Sequence, residues 1–289
     1  MDRPFYTDFS WAYDLLIDEP VADRLLFIIE MLAQGGIRPG AHVLDAGCGT
    51  GRYSIALAEH GFKVTGIDSS SEQIVEARKK QERCKTDVNF VVADICTRQL
   101  ITVDAILCRG VLNDITDDTL RRAVFSAFAG MLHHGGILIL DVREWYASEL
   151  RKRKYPVFEK EVDTDRGRLR FQSITKLQPE TRSLIVSEKH EIVSDGERRD
   201  KTFTFTMRCW TQEELNTNLI DAGFRSIRYY GDYDPSKLVG SSDRIVAVSS
   251  LKNWRNQVSI ATRFMGDSRW QSVFLIRRWL PVRTWMSLP

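Results

Sequence analysis

The chain has 289 residues, with 41 lysines and arginines against 39 aspartates and glutamates and a formal net charge of +2. A composition of 43% apolar and 28% charged residues is that of a soluble globular protein, and it excludes disordered, collagen-like and coiled-coil chains. No apolar run approaches the ~20 residues needed to cross a bilayer, no secretory signal is expected, and a near-neutral total argues against a general nucleic-acid binder. In chain order, Trp11–Ile17 and Val21–Gln34 predict two helices, an N-terminal helical cap over 1–36. From Ala41 to Val142, β-rich runs then alternate with helical patterns. The strands are His42–Asp45, Lys63–Asp68, Val88–Val92, Asp104–Cys108 and Ile137–Asp141; the helices lie near 51–60, 71–84 and 117–133. Nearly continuous apolar strands separated by helices predict a parallel sheet covered on both faces, with its binding crevice beyond the carboxyl ends of the strands.

Residues 155–208 alternate polar and apolar positions in four runs, with turn signals at Asp165-Arg166-Gly167 and Ser194-Asp195-Gly196. That pattern predicts an antiparallel meander inserted after the fifth strand. Thr211-Gln-Glu-Glu214 has the capping-box pattern and opens a helix ending near Gly223, followed by strands 225–230 and 244–249. The last stretch, 251–289, is chemically distinct. It holds seven basic residues (Lys252, Arg255, Arg263, Arg269, Arg277, Arg278 and Arg283) against Asp267, a charge of +6 that leaves −4 for the rest. Four of the seven tryptophans are also there: Trp254, Trp270, Trp279 and Trp285. The five cysteines form no CxxC pair, so reduced thiols in a cytoplasm are expected, and no metal site.

The chemistry concentrates in Val43-Leu-Asp45-Ala46-Gly47-Cys48-Gly49-Thr-Gly51, at the first strand-to-helix turn. Glycines there let the backbone pass close to a ligand. The dinucleotide pattern GxGxxG/A would place Arg52 at its last position, which does not fit, and the P-loop Gly-Lys-Ser/Thr is absent. An acid ending the strand would repel a pyrophosphate, yet it can pair with a ligand ammonium directly or through water.

Asp45-Ala46-Gly47-Cys48-Gly49-Thr-Gly51 resembles the signature of class I S-adenosylmethionine-dependent methyltransferases, and three further positions match in order. Asp68 ends the second strand, where the family's acid takes the ribose hydroxyls. Asp94 follows the third strand, where an acid meets the adenine amino group. Arg109 follows the fourth, beside the methionine part of the cofactor. The resemblance covers about 37–250. It implies an α/β, doubly wound, mostly parallel seven-stranded Rossmann-like sheet with an inserted antiparallel β lid. It also implies S-adenosylmethionine as cofactor, bound by Tyr13, Asp45, Ala46, Gly47, Cys48, Gly49, Asp68, Ser69, Gln73, Asp94, Ile95 and Arg109. Gln73 departs from the apolar residue that often packs on adenine. The insertion and Tyr6…Tyr13-Asp14 resemble the small-molecule branch, in which an N-terminal tyrosine covers the cofactor and the insert roofs the acceptor pocket.

Taken alone, Asp68 could equally cap a helix, and Ser70 or Ser71 could cap it instead. His42, His60, His133 and His134 fall at the amino ends of strands, away from the crevice, whereas His190 could face pocket or solvent. The catalytic candidates are Tyr13 and His190, with Asp114 and Tyr146 as other sources of a base. Arg109, Asn113, Asp114, Arg143, Trp145 and Tyr146 should border the acceptor; with Arg109 and Arg143 both facing inward, an anionic acceptor would be favoured. The expected activity is in-line methyl transfer to the nitrogen or oxygen of a small molecule. The alternatives are an RNA, protein, lipid or quinone acceptor engaged through the basic tail, and a non-catalytic cofactor-binding regulator. The tail could touch an anionic membrane peripherally or form a homodimer contact.

Overall fold

The computed structural model describes residues 3–17, 19–95 and 101–252. The expected basic extension lies, from 253 onward, outside the described residues, as does Cys96. The chain begins with two short 3-10 turns, Pro4–Tyr6 and Ser10–Ala12, followed by a single α turn, α1 (Tyr13–Leu16), and the longer α2 (Val21–Gln34). The single helix expected over 11–17 is thus broken into turns. Four residues cannot sustain a helix alone, and Ile17 leaves helical space at φ −101, ψ 89. Tertiary burial holds the segment instead: Phe5, Phe9, Ala12 and Leu16 pack with Leu169, Phe171 and Ile192.

The sheet and its helices follow: β1 (His42–Ala46), α3 (Arg52–Glu59), β2 (Lys63–Asp68), α4 (Ser71–Cys84), β3 (Val88–Val92), β4 (Val103–Arg109), α5 (Asp118–Met131), β5 (Leu132–Arg143) and α6 (Trp145–Lys154). Four lid strands come next: β6 (Val157–Thr164), β7 (Gly167–Gln178), β8 (Ser183–Ser194) and β9 (Glu197–Arg208). The chain returns through α7 (Gln212–Asp221), β10 (Ser226–Gly231) and β11 (Arg244–Ser250). The seven strands are ordered β10-β11-β5-β4-β1-β2-β3, and β11 runs antiparallel to both of its neighbours. This is the α/β Rossmann-like sheet that the sequence implied.

Apolar strand residues such as Leu44, Ile106 and Leu138 pack against Phe125 and Phe128 of α5 and against Trp210, Leu215 and Leu219 at and on α7. The expected cap is present, with Thr211 accepting from the Glu214 amide. The lid is a separate four-stranded antiparallel sheet, β6-β7-β8-β9. Its β8–β9 turn has both central residues at positive φ, Asp195 at 53° and Gly196 at 79°, as a two-residue hairpin of matching twist requires. No helix among the described residues is long and apolar enough to cross a membrane.

Candidate active site

β1 ends in a turn whose Gly47, Gly49 and Gly51 all lie at positive φ. At Gly47, with φ +76, an added Cβ would stand 2.1 Å from Val111 Cγ2, so the turn and the β4 loop meet too closely for any side chain. Asp68 organises the neighbouring turn. Its carboxylate accepts the Gly49 amide and the Ser70 amide, both at 2.9 Å. Burial raises its pKa, and those amides oppose the rise. Ser70 caps α4 by accepting the Gln73 amide at 3.0 Å, while its hydroxyl donates to the Tyr6 carbonyl at 2.7 Å. Gln73 is buried, and its side-chain amide donates to the Phe5 carbonyl. The start of α4 therefore holds the N-terminal segment over the ends of the strands.

Beneath that segment is a cavity of about 480 Å³. Its walls carry Tyr6, Tyr13, Gly47, Asp68, Ser69, Asp94, Ile95, Arg109, Val111 and Asp114 among others. Seven of the expected ligand residues, Tyr13, Gly47, Asp68, Ser69, Asp94, Ile95 and Arg109, thus meet at one place. Asp45, Ala46, Cys48, Gly49 and Gln73 support the wall without lining it. Asp45 lies beneath the turn, accepts the Ser54 hydroxyl at 2.5 Å, and is pushed up to about 6 by burial. Burial also raises the Cys48 thiol well above its usual range, which leaves it uncharged.

Tyr13 lies on the wall, but burial pushes its phenol up to about 12. At neutral pH it is a proton donor rather than a base. His190 faces neither pocket nor solvent, in contrast to both orientations open from the sequence. It is fully buried, with ring centroids 4.5 Å from Phe5, 5.0 Å from Phe171 and 5.2 Å from Phe9, and Nε2 3.3 Å from Glu188. The alternation of β8 turns it toward the N-terminal segment.

The arginines also depart from expectation. Arg109 lines the cavity, but its charge is taken up locally. It stacks 3.7 Å over Tyr53, donates to Glu19 at 3.0 Å and to Tyr233 at 2.9 Å, and lies 3.6 Å from the fully buried Asp141. Arg143 is off the wall and pairs with Asp243 at 2.6 Å. Two inward arginines, the basis for an anionic acceptor, are therefore not found. Asn113 is buried and accepts the Arg143 amide at 2.8 Å, Trp145 is a core residue, and Tyr146 is exposed, so of the expected acceptor border only Arg109 and Asp114 reach the cavity.

The roof also has a different origin. Among the described residues, no lid strand lines the cavity; the N-terminal segment does, and the lid braces it from behind. Arg3 makes the tie. Its Nε and Nη2 donate to Glu188 at 3.1 and 2.6 Å, and its Nη1 donates to the Tyr6 hydroxyl at 3.0 Å. Tyr6 in turn donates to Asp114 at 3.0 Å. Arg3 and Glu188 stand 185 residues apart, and no local pattern announces them.

S-adenosylmethionine fits these residues. The Asp68 carboxylate spends one acceptor site per oxygen on the two turn amides and keeps others for hydroxyl groups. Asp94 and Ile95 lie on the same wall, and the Gly47 turn offers bare backbone.

Residues 43–136 match the methyltransferase domain family. Over 84% of this chain and 98% of its own length, a protein of Geobacillus sp. (strain WCH70), provisionally named a methyltransferase, is 27% identical. A ubiquinone biosynthesis O-methyltransferase of Coxiella burnetii is 40% identical over 35% of this chain and 43% of its own length. The chain therefore spans less than half of that relative. Among solved structures, an S-adenosylmethionine-dependent methyltransferase of Clostridium acetobutylicum superposes with TM-score 0.72 at 20% identity, over 86% of this chain and 99% of the other. An S-adenosylmethionine-bound amino pentose methyltransferase of Micromonospora echinaspora gives TM-score 0.64 at 21% identity, over 86% and 99%. At such identities these superpositions speak for the fold. The family match to 43–136 and the methyltransferase-named relative along nearly the whole chain support an S-adenosylmethionine-dependent methyltransferase, and the superpositions give it the class I fold.

Proposed function

We propose that the enzyme moves the methyl group to a nitrogen or oxygen nucleophile of a small molecule. The carrying observation is the cavity itself: Asp68 and Asp94 stand on the same walls as Asp114 and Tyr6, under a roof formed by the N-terminal segment. Such a space suits a metabolite rather than a polymer. The amino pentose methyltransferase among the structural neighbours agrees with this reading.

When bound, the cofactor supplies an activated methyl on a sulfonium, so the protein's work is mainly placement and exclusion of water. Asp68 and Asp94 would hold the cofactor, while Ile95, Val111 and the Tyr6 and Tyr13 rings would exclude solvent. Tyr13 can donate a hydrogen bond across the cavity but does not take a proton at neutral pH. We place the enzyme in the cytoplasm, in keeping with cysteines that form no CxxC pair.

The test is mass spectrometry on a metabolite panel incubated with S-adenosylmethionine carrying a labelled methyl group. Labelled small-molecule products are expected. Label confined to RNA or protein, or no S-adenosylhomocysteine binding in calorimetry, would sink the reading.

A further inference from the structure

Asp114 follows the 3-10 turn Val111–Asn113 at the carboxyl end of β4 and forms part of the cavity wall. One carboxylate oxygen, Oδ2, accepts the Tyr6 hydroxyl at 3.0 Å. The other, Oδ1, is buried and has no hydrogen-bond partner. A buried carboxylate oxygen left unpaired is costly, and one on a cavity wall is placed to accept from a ligand. The nearest cation, Arg3, makes a long ion pair with Oδ2 and leaves Oδ1 open. Arg3 spends two of its nitrogens on Glu188 and the third on the Tyr6 hydroxyl, and that third stands 3.8 Å from Asp114. Tyr6 and Arg3 thus fix the carboxylate without occupying Oδ1.

The charge of the wall points the same way. Among the described residues it carries Asp68, Glu72 and Asp114 beside Arg109, and Glu19 and Asp141 already flank that arginine. An anionic acceptor would meet repulsion there, whereas an ammonium would bring both charge and donors to Oδ1. We propose that Asp114 receives the nucleophile of the acceptor, and that the acceptor is a small amine bound as its ammonium. The proposal rests on the methyl-transfer reading above and names the substrate class of that site.

In this role the ammonium first gives a proton to Oδ1, which frees the nitrogen lone pair. The pair forms the new nitrogen–carbon bond as the carbon–sulfur bond breaks, and the electrons of that bond stay on sulfur. The product leaves as a methylated ammonium, and the proton on Asp114 passes to solvent. Asp114 is the catalytic residue; Tyr6, Arg3 and Glu188 are positioning residues, because they act through it. A carboxylate made more basic by burial is suited to accepting that proton.

The probes are cyclohexylamine, cyclohexanol and cyclohexanecarboxylate, three molecules of one shape that differ in the head group. Their binding to the full chain, saturated with S-adenosylhomocysteine, is measured by ligand-observed NMR. The amine should bind about tenfold or more tighter than the other two, and Asp114→Asn should abolish the preference. Asp114→Glu keeps the charge and should retain part of it. Tyr6→Phe should reduce the preference severalfold without abolishing it, because the carboxylate is no longer held. Equal binding of the three probes, a preference for the carboxylate, or an unchanged preference in Asp114→Asn overturns the proposal. Calorimetry separates the two levels. If S-adenosylhomocysteine fails to bind the wild type, both readings fall; if it binds and the amine is not preferred, only the acceptor assignment falls.

Discussion

Arg3 grips Glu188 through two nitrogens, at 3.1 and 2.6 Å, with both side chains nearly buried at 11% and 4% exposure. This pair joins the segment that roofs the cavity to the middle of the lid. Against the burial that raises it, hydrogen bonds from His190 and Arg3 hold the Glu188 carboxyl below its ordinary 4.5.

Removing one member of such a pair leaves the other as an uncompensated buried charge. Arg3→Met or Glu188→Gln should therefore lose roughly 3 kcal/mol, toward the lower end for a broken buried pair. For a domain of this size that is a fall in Tm of roughly 6–12 °C. The sign with pH follows from the lowered carboxyl. The stabilisation is complete above about 4.5 and is lost as pH falls below it, so wild type and Glu188→Gln should converge in urea unfolding in acid. A constant gap at every pH would contradict the pairing.

Asp45 behaves in the opposite sense. Its folded pKa, about 6, lies above its ordinary 3.8, so burying the charged form is a cost, fully present above pH 6, that fades as pH falls toward 3.8. Two pKa units correspond to about 3 kcal/mol. Asp45→Asn, which can still accept the Ser54 hydroxyl, should stabilise the ligand-free chain by about 1–3 kcal/mol at about pH 8 and by little near pH 4. Urea midpoints at the two pH values check this.

Gly47 separates a steric demand from a conformational one. Gly47→Ala should weaken S-adenosylhomocysteine binding more than about tenfold, because the new methyl meets Val111 Cγ2 and the backbone stands at φ +76. Adding Val111→Ala removes the collision but not the left-handed strain of about 1–2 kcal/mol. The double variant should recover part of the affinity in calorimetry; full recovery would show that the backbone angle carries no cost.

Asp68→Ala deprives two turn amides of their acceptor and the cavity of a carboxylate. Binding of S-adenosylhomocysteine should fall about a hundredfold or more, since each hydrogen bond to a charged group contributes about 1.5–3 kcal/mol. Asp68→Asn keeps an acceptor for one amide and should lose less. Equal losses in the two variants would mean that shape alone matters.

Much of this fold was legible locally. Strand alternation, the Ser194-Asp195-Gly196 turn and the Thr211 cap are short-range signals, and the structure realises them within a few residues. The turn from Asp45 to Gly51 and the acids Asp68 and Asp94 were legible because each follows a strand end. What the sequence hid depends on distant partners. Gln73 looked like a poor adenine contact because its real partner is the Phe5 carbonyl, 68 residues away. His190 sits in an alternating strand, and the rings of Phe5, Phe9 and Phe171 decide which face is buried. Arg143 could not be assigned without Asp243, 100 residues later. The tie from Arg3 to Glu188 joins residues 185 apart in sequence and has no periodicity to betray it.

The lid leaves and rejoins the parent sheet at one point. The Trp210 amide donates to the Arg143 carbonyl at 2.8 Å, the Trp145 amide donates to the Trp210 carbonyl at 2.9 Å, and Glu144 and Trp210 form a bridge. The segment between them is therefore a module with its two ends stitched together, like a pocket sewn shut along one seam. Lengthening, shortening or exchanging it should leave the strands that carry the glycine turn in place. Its influence on the cavity passes through a handful of side chains, so selectivity for the acceptor can diverge while the donor half of the enzyme stays fixed.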